Sequence, residues 1–326
     1  MQVNGQIIRV IIVSFLIALF LGPVVIPVLR RLKVGQSIRE EGPKSHYKKS
    51  GTPTMGGIII VFSVIISVFT SGYYTREIWA ALFFMVGFGL IGFTDDYIKV
   101  VQKRNLGLKA YQKILAQFIF ALLLAAYGSR YSAYGTKLII PFANAYIDLG
   151  VLYVPFVLFV VLGTVNAVNL TDGLDGLSTG VTLIVMAAFS LISGSMKEIN
   201  PIFEGISIVS AAVAGACLGF LKHNSNPAKV FMGDTGSMAL GGGLAAAVIL
   251  TKAELMIPFV GLVFVVEALS VIIQVIGFKT TGKRLFRMAP IHHHFELGGM
   301  KETSVVKMFW VFAAICCVAG LLIMKI

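Results

Sequence analysis

The chain has 326 residues, of which 57% are hydrophobic and only 13% charged, and its formal net charge is +12. Apolar runs this long and this closely spaced exclude a soluble domain with one core and indicate a polytopic membrane protein. The basic excess describes a face that meets anionic headgroups or anionic substrates, and it needs no nucleic acid to explain it.

Ten windows of about 17 to 22 apolar residues, each enough to cross a hydrocarbon layer of roughly 30 Å, follow one another along the chain. The first covers 7–29 and is followed by Arg30, Arg31 and Lys33. Positive charge after the apolar run, with no small-residue cleavage site, reads as a retained anchor rather than a signal peptide. The loop that follows contains "SHYKKSGTPTMGG", with His46, Lys48 and Lys49 ahead of the Gly51-Thr52-Pro53-Thr54 turn that opens span two, 54–71. Lysines in such a loop ordinarily form a solvated, orienting face. The turn adds a candidate anion cradle, although it lacks the Walker pattern.

Span three, 77–94, ends in "DDYIK", which places Asp95 and Asp96 side by side with Lys99 after them. One carboxylate at a helix end is an ordinary solvated terminus. Two adjacent ones raise each other's pKa unless a cation neutralises them, so the pair suggests a metal, proton-transfer or phosphate site. Span four covers 113–128. The stretch "GSRYSAYGTKLIIPFANAYIDLG" then alternates apolar and polar residues between Gly and Pro, predicting a small hairpin or surface-lying segment outside the bilayer.

Span five, 148–168, runs into "NAVNLTDGLDGLSTG", where Asn166, Asn169, Asp172 and Asp175 cluster ahead of span six, 173–193. A helix start needs one capping residue, not four. The surplus of acceptors and amides suits sugar or base groups, and the spacing is not that of a calcium loop. Span seven is 202–221, and "NPAKVFMGDTGS" then leads into span eight, 235–251, with Asp234 at its start. An aspartate there is a common N-cap. A helix N-terminus flanked by Gly233 and Gly236 is also an anion site, where a carboxylate can hold Mg²⁺ against a phosphate.

Span nine, 256–277, carries Glu267 deep inside it, and "TTGKRLFRM" after it reads as a basic amphipathic segment at the interface. "PIHHHFE" then presents His292, His293 and His294 before span ten, 304–324. Consecutive histidines point in different directions and make a poor single-metal cage. They are better suited to donating hydrogen bonds to phosphate or sugar oxygens from a loop. Cys217, Cys316 and Cys317 all fall inside spans and read as small packing residues.

The loops after odd-numbered spans hold 19 of the 27 Lys and Arg residues, which puts them in the cytoplasm and both termini outside. Five of the six aspartates and all five histidines share that side; only Asp148 lies opposite. Such one-sidedness is expected of a membrane enzyme with a cytoplasmic site. The chemistry it describes is a diphosphate bound with Mg²⁺ beside the membrane, where phosphoryl transfer needs mainly positioning and charge neutralisation. No repeat or soluble domain interrupts the pattern, so residues 1–326 are read as one domain.

From "HYKKSGTPTMGG" through "DDYIK", "NAVNLTDGLDGL" and "FMGDTGS" to "PIHHHFE", the chain resembles the polyprenyl-phosphate N-acetylhexosamine-1-phosphate transferases. The first and last motifs are similar to those of the branch that uses phospho-N-acetylmuramoyl-pentapeptide. The likeness departs at Met300, where the family pattern has tryptophan. The resemblance implies an all-α enzyme of the bacterial plasma membrane that transfers phospho-MurNAc-pentapeptide from its UDP carrier to undecaprenyl phosphate, giving lipid I and UMP with Mg²⁺. It implies that Asp234 is the Mg²⁺ ligand and that Asp95 or Asp96 deprotonates or orients the lipid phosphate, with Lys99 and Lys113 nearby. It further implies that Lys49, Asn169, Asp172, Asp175, Asn224 and Phe231 surround the nucleotide, with Phe231 stacking on uracil, and that Thr54 binds substrate. His292, His293 and His294 would be substrate contacts, and the enzyme a homodimer.

Two other readings compete. A UDP-GlcNAc-1-phosphate transferase would share the site, but the three histidines and "GTPTMGG" argue against it. A secondary transporter would carry its charges near the midplane on broken helices, whereas here most lie at one face.

Overall fold

A computed structural model of the protein describes residues 5–32, 49, 51–102, 107–132, 134–143, 145–197 and 200–324; His46, Lys33 and Lys48 lie outside this set. The described chain is almost wholly helical. It begins with α1 (Gly5–Arg31), α2 (Gly57–Phe69), α3 (Arg76–Val100) and α4 (Ala110–Tyr131), followed by the strands β1 (Lys137–Ile140) and β2 (Ala145–Asp148). Next come α5 (Tyr153–Thr171), α6 (Leu177–Ser195), α7 (Ile202–Asn224) and α8 (Gly233–Thr251). The one-turn α9 (Ile257–Val260), α10 (Leu262–Thr281), the short α11 (Ile291–Leu297) and α12 (Glu302–Ile323) complete it.

Among the described residues, nine helices are long and apolar enough to cross a membrane. The exception among the ten expected spans is the second. Instead of 54–71 it is the thirteen-residue α2, about 20 Å at 1.5 Å per residue and short of a roughly 30 Å layer. Its expected first turn is given to backbone pairing. The N–H of Phe231 donates to Pro53 O (2.8 Å), and those of Gly56 and Gly57 donate to Phe231 O and Met232 O (2.9 Å each). Met55 takes a left-handed φ of 67° to make that approach. The expected outer hairpin is present as β1 and β2, antiparallel with Lys137 opposite Asp148.

Helices α7 and α8 form the centre: 83% and 89% of their apolar windows are buried, against 22% for α4 and α10. Lipid tails are as apolar as leucine, so hydrophobicity does not drive helices together inside a bilayer. Close backbone approach through small residues does. Gly92 of α3 shows this: a Cβ there would lie 2.0 Å from Asp234 O, so α3 and α8 cross at this point with no room for a side chain. The outer helices turn large apolar side chains outward, among them Phe20, Phe118 and Ile276.

Side-chain bonds bring the C-terminal ends of α3, α5 and α7 together with the N-terminal ends of α4, α6, α8 and α12. At the opposite end lie the start of α1, which reaches Thr70 and Ser71 through Arg9 and Gln6, and the hairpin.

Candidate functional site

The centre of the polar end is Asp234, in the first turn of α8. Its Oδ2 accepts from Lys99 Nζ and Lys113 Nζ, both at 2.8 Å, and its Oδ1 accepts from Asn169 Nδ2 at 2.9 Å. Four helices therefore meet on one carboxylate. Asp95 is next to it: its Oδ2 lies 2.6 Å from Lys99 Nζ and 3.7 Å from Lys113 Nζ, while its Oδ1 accepts from Leu108 N at 2.6 Å.

The adjacent aspartates divide their work. Asp96 faces the first turn of α8, whose backbone N–H groups have no partners within the helix. Its Oδ1 accepts from Asp234 N (3.2 Å), and its Oδ2 accepts from Thr235 N (2.9 Å) and Thr235 Oγ1 (2.7 Å). Both oxygens are thus spent on holding α8 against α3, in the electrostatically favourable place for a carboxylate. Gly233 turns the chain into that helix with φ 73°, and any Cβ there would fall 2.6 Å from Asp96 Oδ2 and 2.7 Å from Thr54 Oγ1. Thr54 therefore borders the same turn.

A second cluster stands beside the first. Lys49 Nζ donates to Asp175 Oδ1 (2.7 Å) and Glu302 Oε1 (2.6 Å), and Asp175 Oδ2 accepts from Asn226 Nδ2 (3.0 Å) and Ala228 N (3.1 Å). Asp175 N donates in turn to Glu302 Oε1. The 225–232 loop is thereby tied to the starts of α6 and α12. Asn224, expected among the substrate contacts, is buried and spends its amide on the protein: Oδ1 accepts from Thr179 Oγ1, and Nδ2 donates to Val230 O. Asn169, expected near the nucleotide, donates from Nδ2 to Asp234 Oδ1 and Ser237 Oγ. Phe231 is half-buried, its backbone in the pairing with 53–56.

Asp172 follows the last turn of α5. Burial first, then the negative charge of Asp234, Asp96 and Asp175, pushes its carboxyl up to about 8.

The three histidines stand on the short helix α11, not in a loop, and they do not converge. His292 is fully buried with Nδ1 3.0 Å from Glu267 Oε2, His293 pairs with Glu296, and His294 Nδ1 accepts from Arg287 N. The ring of His292 fits over Gly173, beside Asp172. Glu267 thus has a role its depth in span nine did not reveal, and Glu302 and Asn226 went unnoticed altogether. Glu302 offered only the faint signal of an acid in the first turn of a helix.

Among the described residues no three His, Cys, Asp or Glu side chains gather into a metal cage. Mg²⁺ needs none, because it is commonly held by one or two carboxylates plus substrate phosphates and water. Asp234 and Asp95, hard oxygen donors side by side, fit that pattern.

Residues 78–252 match the model for "Glycosyl transferase family 4", and residues 49–61 match "Phospho-N-acetylmuramoyl-pentapeptide-transferase signature 1". Proteins named phospho-N-acetylmuramoyl-pentapeptide-transferase are similar along nearly the whole chain. That of Alkaliphilus metalliredigens is 56% identical over 99% of both chains. Those of Alkaliphilus oremlandii and Desulfitobacterium hafniense are 55% identical over 98% and 49% identical over 95% of both chains.

Proposed function

The chain belongs to glycosyl transferase family 4 and, within it, to the phospho-N-acetylmuramoyl-pentapeptide-transferases, and from that premise we propose how its residues carry out the reaction. It is a multi-pass membrane enzyme of peptidoglycan synthesis that transfers phospho-N-acetylmuramoyl-pentapeptide to a lipid carrier. The proposed donor is UDP-MurNAc-pentapeptide and the proposed acceptor undecaprenyl phosphate, at the cytoplasmic face of a bacterial plasma membrane, by an enzyme that works as a homodimer.

The observation that carries the mechanism is the convergence of Lys99 and Lys113 on Asp234 at the start of α8. An oxygen of the lipid phosphate attacks the phosphorus that bears the sugar. As this P–O bond forms, the bond from that phosphorus to the bridging oxygen breaks, and UMP leaves with the oxygen. The two lysines stabilise the charge that builds on the phosphoryl oxygens, exchanging carboxylate for phosphate as the substrate enters. Asp95 takes or orients the proton of the lipid phosphate, because its Oδ2 faces both lysines while Asp96 is fully engaged with α8. Asp234, with Asp95 beside it, would hold Mg²⁺, which when bound supplies further charge neutralisation at the diphosphate. The Lys49–Asp175–Glu302 cluster and Phe231 form the nucleotide side. Asp172 stands on the same side, next to Gly173, over which the ring of His292 fits with Glu267 setting its orientation.

The test is Mg²⁺-dependent UMP release by purified, lipid-supplemented protein given undecaprenyl phosphate with either UDP-MurNAc-pentapeptide or UDP-GlcNAc. Release with the muramoyl substrate alone is expected. Release with UDP-GlcNAc alone would move the enzyme to the sister activity, and release with neither would remove the assignment.

A further inference from the structure

Helices α1 and α7 meet along a seam with a four-residue period on both sides. Ser14, Ala18 and Gly22 of α1 are buried against Gly215, Gly219 and His223 of α7. A Cβ on Gly215 would lie 2.1 Å from Ser14 Oγ, one on Gly219 2.4 Å from Phe15 O, and one on Gly22 2.2 Å from His223 Nε2. The seam brings the two backbones as close as helices can come, and a single large polar residue closes it. Apolar packing does not call for an imidazole there. Its position is explained one residue further along α1, where Pro23 sits inside the helix.

Proline has no N–H, so the carbonyl four residues before it loses its helical donor. For Pro23 that carbonyl is Leu19 O, and His223 Nε2 lies 3.1 Å from it. A carbonyl can only accept, so the nitrogen carries the hydrogen and donates. A bare carbonyl in a lipid-embedded seam is costly, and the histidine replaces what the proline removed. His223 is buried, 6% exposed.

We propose that His223 is a positioning residue for the transfer reaction: its bond to the proline break in α1 sets the last turn of α7, and through it the loop that builds the nucleotide side. The connection is short. His223 O accepts from Lys229 N at 2.8 Å, the neighbouring Asn224 donates to Val230 O, and Asn226 and Ala228 in between donate to Asp175. Displacing the end of α7 displaces both donors on Asp175 Oδ2, Asn226 Nδ2 and Ala228 N, and leaves Lys49 alone on Oδ1. This inference rests on the nucleotide-side assignment made above.

The proline provides the test. In Pro23→Ala the backbone N–H returns, Leu19 O regains a helical donor and His223 becomes dispensable. With UDP-MurNAc-pentapeptide varied at saturating undecaprenyl phosphate, His223→Leu raises KM about fivefold, the scale of one lost hydrogen bond, and leaves kcat near that of the parent. Pro23→Ala alone behaves as wild type, and His223→Gln, which retains a side-chain N–H, holds KM close to the parent value. Pro23→Ala/His223→Leu restores most of the lost affinity. An unchanged KM in His223→Leu, or a double variant no better than His223→Leu, overturns the proposal. Where His223→Leu fails to fold, recovery of folded yield in the double variant supports the bond and its absence refutes it. No UMP release from the wild type would overturn the transferase reading instead, and the folded-yield comparison would still report on the bond.

Discussion

Each end of the bundle holds lysines among carboxylates, but the two arrangements differ in access. At the proposed catalytic end the side chains of Lys99, Lys113 and Asp234 are 31%, 19% and 18% exposed, and both ammonium groups are bonded to a carboxylate. At the other end Lys252 is fully buried. Its Nζ donates to Gly128 O (2.9 Å), Gly135 O (2.5 Å) and Tyr153 Oη (2.5 Å), and Glu254 is buried close by with one oxygen unpartnered. Sealed charges of this kind join elements: Lys252 ties the end of α8 to the end of α4 and to the turn before β1. Charges that reach solvent can exchange one anionic partner for another, which is what a phosphate-transfer site requires. Access, more than the presence of charge, separates the two roles.

The sharpest way to break the comparison is Asp234→Asn. It should lower turnover by about a thousandfold or more, the scale of losing a preorganised charge at a reacting phosphate, and leave the melting temperature near wild type. Asp148→Asn, at the hairpin, should leave turnover unchanged; equal sensitivity of both would refute a one-ended site. Lys252→Met should do the reverse. Losing one member of a buried polar network costs about 3–5 kcal/mol, so chemical denaturation should show a large loss of stability while activity per folded molecule persists. Lys49→Ala is a smaller change within the proposed catalytic end, expected to raise KM for the nucleotide substrate about tenfold, or roughly 1.4 kcal/mol, with kcat little altered. A fall in kcat alone would move Lys49 from binding to chemistry.

The smallest effect concerns pH. Burial pushes Glu254 up to about 8 from 4.5, with Lys252 opposing, and pushes Lys252 down to about 8 from 10.5. A carboxyl raised in the folded state contributes stability that is complete below its unfolded pKa and is lost as pH rises through the folded one. Lys252 varies only above about 8. Between pH 5 and 7.5 the Glu254 contribution should therefore decline as pH rises, and Glu254→Gln should flatten that part of the melting profile. A profile unchanged by the substitution would show that the carboxyl is ionised throughout.

Much of this was legible in the sequence because membrane helices show themselves by length and apolarity, and because aspartates at their ends have few structural reasons to gather on one side. Asp234, Asp95 and Lys99 follow from that logic. What adjacent residues do separately does not: Asp95 and Asp96 read alike until the α8 amides are seen on Asp96. Partners far apart in the chain were equally hidden, as with Lys49 and Glu302, 253 residues apart. Lys252 falls between the spans expected at 235–251 and 256–277, and nothing local says that a lysine after an apolar run turns back inward. Span two was shortened by backbone pairing with residues 231 and 232, a tertiary effect that hydropathy does not register.

The most direct test is sidedness. In sealed membrane vesicles of known orientation, membrane-impermeant UDP-MurNAc-pentapeptide should release UMP only when added to the face that carries Lys99, Lys113 and Asp234, the face proposed to be cytoplasmic. Release from the side of the β1–β2 hairpin would contradict the assignment of chemistry to the open end and structure to the sealed one.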